Sequence, residues 1–238
     1  MKYYEYFQIF LNIENNLSNY MQTIEYSNKS KTIYTINQSL LLLQTCPIIE
    51  SFMIDLSIDA TTVINHPLYN WKFNWKLYKK KEKENTLKLK DNKRLIESFP
   101  KFAYVCEEVF KLSNEKTTFY YTDKLQYLPD NINTETISPF SSLKKFFSYT
   151  YFDDENKKFP IGLESPEWWL AYNKIKHDFE KSREKVNYKI CIEAISALFI
   201  ILCYCDPDIE LLKKNGFIIN RDDSKLIKSK YFSCKISP

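Results

Sequence analysis

Apolar side chains recur at three- and four-residue intervals near the start of the chain. Phe7, Phe10, Leu17, Tyr20, Met21 and Ile24 fall on one helical face, and the spacing predicts a helix over residues 3–26. A polar break follows at Asn28, Lys29 and Ser30. Leu40, Leu43, Ile49, Phe52 and Leu56 predict a second helix over 33–57. Pro47 lies inside it. Proline has no N–H and its ring crowds the preceding turn, so a kink or a split is expected there. The short connection between the two helices favours antiparallel packing.

The texture then changes. Trp71, Phe73, Trp75 and Leu77 alternate with Lys72, Asn74, Lys76 and Tyr78. Period two predicts a strand with one apolar and one basic face. Beyond a charged tip at 79–85 the alternation returns in Thr86, Leu87, Lys88, Leu89 and Lys90, which predicts a β-hairpin. Residues 101–112 read as a short helix after Pro100, 117–121 as a strand, and 123–164 as a long irregular connection. Ser165, Pro166 and Glu167 form a helix start: a serine cap, proline in the first turn and an acid at the positive end of the dipole. The helix is expected to run to about Lys185. Asn187 or a neighbour separates it from a nearly continuous apolar run at 190–205, which Asp206 and Pro207 terminate. Beyond Asn215 and Gly216 the tail is weakly patterned, with a small apolar end at Tyr231 and Phe232.

Four substantial helices, with β material between the first pair and the last, predict a mainly α fold. It is an antiparallel helical bundle with a small β-hairpin insertion. A single domain spans 1–238, with bundle helices at 3–57 and 165–205, an insertion at 66–164 and a tail at 206–238. At 238 residues such a domain buries an adequate core without metal or disulfide support. The 190–205 helix is apolar on almost every side, more than a bundle surface needs. It is expected to bury one side in the core and the other in a partner or second copy.

Composition removes several functional classes. The chain holds two glycines, Gly162 and Gly216. Dinucleotide fingerprints, phosphate-binding loops and nucleophile elbows all need clustered glycines where backbone approaches a ligand or turns sharply. None can be built here. The six cysteines include no C-x-x-C pair and only two histidines accompany them, so no metal site or cofactor is expected. Buried, reduced thiols in a cytoplasmic protein are the expectation. The first residues lack the apolar core of a signal peptide, and the 190–205 run is too short and too polar to cross a membrane. Net charge is +4, but residues 72–94 alone carry +7 against −3 elsewhere. Such a block marks one contact surface or one solvated excursion. Because alternation puts the aromatics and the lysines on opposite faces, RNA contact through Lys72 and Lys76 is the weaker of these two uses. His66, in a loop, reads as structural or exposed.

The chemistry concentrates in residues 165–205. On a helix, Asn173 and His177 are four residues apart. Lys176 lies three past Asn173 and four past Tyr172, and Lys174 adds a second ammonium nearby. An amide, an ammonium, an imidazole and a phenol on one face suit phosphate binding and proton transfer near neutral pH. Such residues on a helix more often make a solvated face than a catalytic one. Trp168 and Trp169 read as core or interface rather than as a stacking platform.

The segment Trp168-Trp169-Leu170-Ala171-Tyr172-Asn173-Lys174-Ile175-Lys176-His177-Asp178, followed by a long apolar helix, resembles the HEPN superfamily of bacterial helical-bundle proteins. The N-terminal helix pair fits as well, so the resemblance covers residues 5–56 and 165–205. Active members carry an arginine, a polar residue such as asparagine, a few further residues and then a histidine. Asn173 and His177 match; Tyr172 occupies the arginine position. The resemblance implies a homodimer with paired sites at a groove and metal-independent RNA cleavage in defence or toxin–antitoxin systems. His177 would move the proton at the 2′-hydroxyl, and Asn173 would orient phosphate or imidazole. Lys176 or Lys174 would offset charge, and Tyr172 would stand in for arginine. The alternative is a non-catalytic protein-interaction or nucleotide-sensing module that dimerises through its apolar helix.

Overall fold

The computed structural model describes residues 3–59, 102–103, 106–107, 110–122, 132–143, 165–204, 218–221 and 224–236. The described residues are mainly α, with one small antiparallel sheet. Helix α1 spans Tyr3–Thr23 and α2 spans Ile36–Asp59. Tyr6 Oη donates to Asp55 Oδ2 at 2.7 Å, Asn16 Nδ2 donates to Gln44 Oε1 at 3.2 Å, and Thr35 Oγ1 donates to Tyr20 Oη at 3.0 Å. As one helix advances the other recedes, so the pair is antiparallel, as expected. Pro47 sits inside α2 without splitting it.

Helix α3 spans Glu167–His177, α4 spans Phe179–Ser182, and a 3-10 turn at Arg183–Lys185 follows. One helix from 165 to 185 was the expectation; the chain breaks at Asp178. Its backbone leaves the helical region at φ −149° and ψ 86°. Its carboxylate then accepts from the Lys181 N–H at 3.3 Å and caps α4. Aspartate competes for backbone hydrogen bonds in this way and so favours caps over helix interiors. The start of α3 also differs from expectation. Pro166, not Ser165, holds the N-cap position without a side-chain cap, and its carbonyl accepts from Trp169 and Leu170.

Helix α5 spans Tyr188–Tyr204. Asn187 caps it through Oδ1, which accepts from the Ile190 N–H at 3.0 Å. It is the central rod of the fold: α1, α2, α3 and the sheet all pack on it. From Ile190 to Cys203 every side chain but Glu193 is buried within this one chain. The expectation that one side of this helix waits for a partner is therefore not met. The apolar excess covers four neighbours instead of two.

The sheet has five strands in the order β2-β1-β5-β4-β3. Their ranges are β1 Thr117–Thr122, β2 Ile132–Ile137, β3 Ile218–Arg221, β4 Ser224–Lys228 and β5 Phe232–Ile236. All neighbours are antiparallel, and Thr118 and Phe119 of β1 face Ser233 and Phe232 of β5. Strand β1 was expected. Strand β2 lies where an irregular connection was expected, and β3 to β5 lie in the tail that reads as weakly patterned. Insertion and tail are thus not separate pieces, since one ladder joins them. The hairpin expected at 71–90 lies outside the described residues. Of the helix expected at 101–112, Phe102 and Ala103 are α-helical, and Cys106 and Glu107 form a wider π turn.

Aromatic rings weld sheet to bundle. Tyr20 meets Tyr188 at 4.8 Å between centroids, Tyr188 meets Tyr26 at 5.0 Å, and Tyr26 meets Phe119 at 5.0 Å. Phe119 meets Phe232 at 5.2 Å, and Phe232 meets Phe199 of α5 at 6.0 Å. Most of these contacts are edge-on or tilted, the arrangements that ring quadrupoles favour. One buried carboxylate adds a polar clasp. Glu14 of α1 accepts from Ser229 Oγ at 2.6 Å and the Tyr231 N–H at 2.8 Å, both in the β4–β5 turn.

The five described cysteines are all free and buried. Burial pushes the thiols of Cys46, Cys106 and Cys191 up, which keeps them protonated. Helix α2 is long and apolar enough over Ile36–Leu56 to cross a membrane by length and composition. Half of that window is buried in the fold.

Candidate functional site

Helix α3 presents two stripes, each following the four-residue repeat. The inner stripe carries Tyr172 and Lys176. Tyr172 is 2% exposed and its hydroxyl donates to Glu50 Oε2 of α2 at 3.1 Å. Lys176 Nζ lies 3.6 Å from the same oxygen and 5.2 Å from the centre of the Tyr172 ring. Phenol, ammonium and carboxylate form a three-part joint between α3 and α2. Burial, and then the Glu50 charge, push the phenol well above its usual range. It stays a neutral donor and cannot act as an anion.

The outer stripe carries Asn173, half-buried, and His177, exposed. Lys174 is also exposed and has no ion partner among the described residues. Cations in the last turn complement the negative end of the helix dipole. The single face expected to hold amide, ammonium, imidazole and phenol is therefore divided. Asn173 and His177 are brought together on the solvent side, while Tyr172 is turned into the bundle and Lys176 leans toward it. Tyr172 offers nothing in the place of a guanidinium: its one donor is committed to Glu50, and its ring packs on Trp169 at 5.4 Å.

The tryptophan pair is core, as the sequence reads. Trp168 is buried, its indole N–H donates to the Pro139 carbonyl at 3.0 Å, and Phe140 meets it edge-on. Trp169 stacks on Phe102. These contacts fix the orientation of α3 and so decide which stripe faces water. Lys72, Lys76 and His66 lie outside the described residues. Among the described residues, no three His, Cys, Asp or Glu side chains converge as a metal-ligand set.

Sequence reasoning passed over Glu50. Its signal is an acid in the middle of a largely apolar helix, three residues beyond Pro47, which implies a cationic or hydroxyl partner. Glu14, an acid on the apolar face of α1, carries the same signal. No protein-family profile, curated protein or solved structure matches the chain.

Proposed function

We propose that the chain is a HEPN-like RNA-acting protein of bacterial defence, a cytoplasmic homodimer that cleaves RNA without a metal. The observation that supports this is the Asn173–His177 stripe, open to solvent on a helix whose other stripe is locked to the bundle. His177 is the proton-transfer group, Asn173 orients the phosphate or the imidazole, and Lys174 supplies the uncommitted positive charge. Lys176 contributes less, because Glu50 shares its charge. The homodimer meets across α3 rather than across α5, since α5 is enclosed by its own chain.

A second reading, RNA binding without cleavage, is favoured by one observation: Tyr172 is tied to Glu50 and leaves the guanidinium unreplaced. Arginine binds phosphate through two parallel charged hydrogen bonds, and a lysine point charge replaces only part of that. Labelled RNA incubated with the full-length protein and chelator, beside His177→Ala and Lys174→Ala, separates the two. Cleavage is expected to fall about 100-fold or more in His177→Ala while RNA affinity holds. Equal turnover by the parent and His177→Ala would overturn the nuclease reading. No cleavage by either, with RNA affinity reduced in Lys174→Ala, selects the second.

A further inference from the structure

A cleft of about 390 Å³ opens between α1 and α2, away from the α3 stripe. Asn16, Asn19 and Tyr20 line it from α1, and Asn37, Leu40 and Gln44 from α2; every lining side chain is uncharged. The neutrality extends beyond the cleft. All exposed residues of α1 from Asn12 to Thr23 are asparagine, glutamine or threonine. In a chain with 27% charged residues, an ordinary solvated helix face would carry lysine or glutamate. Charge depletion on an exposed surface is a mark of a binding face.

The groups present define what fits. Leu40 is 47% exposed at the mouth and gives an apolar wall. The carboxamides of Asn19 and Asn37 have no hydrogen-bond partner among the described residues, and each offers a donor and an acceptor side by side. Tyr20 is 5% exposed, and its hydroxyl already accepts from Thr35 at 3.0 Å, so its own proton is left to donate. Burial pushes that phenol up, which keeps the proton in place. No group here would neutralise a phosphate or a carboxylate. The volume lies at the small end of ligand sites. A flat ring on the leucine wall, read along its edge by carboxamides, is how asparagine and glutamine recognise bases.

We infer that the α1–α2 cleft binds an uncharged, hydrogen-bonding heterocycle of nucleobase or nucleoside size. This inference is independent of His177 and of the reaction proposed for α3.

The test is equilibrium dialysis and saturation-transfer NMR of the full-length protein with adenosine, guanosine, cytidine and uridine, and with the 5′-monophosphate of each. At least one nucleoside is expected to bind with a dissociation constant on the order of 10–1,000 µM. Its affinity should not change between about 50 and 300 mM salt, because no charge is involved. The monophosphate should bind no more tightly. Asn37→Ala and Leu40→Arg, both at exposed positions, should weaken binding at least ~5-fold, and so should Tyr20→Phe; His177→Ala should leave it unchanged. No binding by any nucleoside at about 5 mM overturns the inference. So does binding that salt abolishes, or that Asn37→Ala and Leu40→Arg leave intact.

Discussion

Tyr172 separates a structural hydroxyl from a functional one. If it stood in at a phosphate for the arginine of the HEPN motif, as the proposed function would allow, loss of its oxygen would appear in activity. Its hydroxyl instead points at Glu50, between two helices, with Lys176 beside the same carboxylate. Hydrogen bonds to charged groups contribute roughly 1.5–3 kcal/mol, and the remaining Lys176 contact limits what is lost here. Tyr172→Phe is therefore expected to lower unfolding free energy by about 1–2 kcal/mol and to leave RNA cleavage and affinity within about twofold of the parent. Denaturant titration and the RNA assay measure the two effects. A stable variant with lost RNA activity would return Tyr172 to the site. The motif alone could not reveal this, because a four-residue spacing places Tyr172 and Lys176 together without saying which way the helix is rolled. Trp168 and Trp169 settle the roll through contacts with Pro139, Phe140 and Phe102, all distant in sequence.

At the scale of elements, the β4–β5 turn is held by two side chains of α1, Glu14 and Ser18. Glu14 accepts from Ser229 Oγ, the Tyr231 N–H and, at 3.4 Å, the Lys230 N–H. Lys230 Nζ and Tyr231 Oη reach Ser18 one turn further along α1. Removing the carboxylate would leave the half-buried Tyr231 N–H without its acceptor and Ser229 Oγ with only the Phe232 carbonyl at 3.3 Å, at a cost of about 1–3 kcal/mol for an unsatisfied group. Glu14→Ala is expected to raise amide exchange at Tyr231 and Phe232 by at least about tenfold while the α5 amides keep their protection. Uniform acceleration through α5 would mean that the clasp is part of the global unfolding unit instead.

The same contrast explains what the sequence reveals of the fold. Helices α1, α2, α3 and α5 each repeat an apolar face or run over enough turns to show. Strand β1 shows because Thr117, Phe119 and Tyr121 alternate with their neighbours. Strand β2, with Asn133, Thr134, Glu135 and Thr136 between two isoleucines, offers no apolar stripe at the sheet edge. Strands β3 to β5 have four or five residues each, too few for a period to emerge. Their pairing depends on a distant clasp and on the Phe119–Phe232 contact, which no local window contains. Of the candidate site, the Asn173–His177 spacing was legible, and the Glu50 joint was not.

At the scale of the whole molecule, buried acids set the response to pH. Glu14 on α1 and Glu193 on α5 are both raised above the ordinary glutamate value of 4.5. Burial is the main cause in each. For Glu14 the Ser229, Tyr231 and Lys230 donors oppose it, and for Glu193 Lys189 opposes it while Glu167 and Glu135 reinforce it. A raised native value means that the folded chain holds a proton which the unfolded chain has already released. Between the two values the native state binds more protons, so stability falls as pH rises. Below 4.5 both states are protonated and these two groups add no slope; above the raised values the full loss is in place. Glu14→Gln removes one of the two titrations. Its Oε1 can still accept from Ser229 and Tyr231, the two short contacts. The variant is therefore expected to be no more stable than the parent near pH 4, to gain on it as pH rises from 4.5 through the raised Glu14 value, and to hold that gain above it. Urea midpoints for both proteins at half-unit pH steps provide the comparison. A difference that stays constant, or shrinks with rising pH, would mean that the donors around Glu14 outweigh its burial and that its carboxyl is ionised from the start.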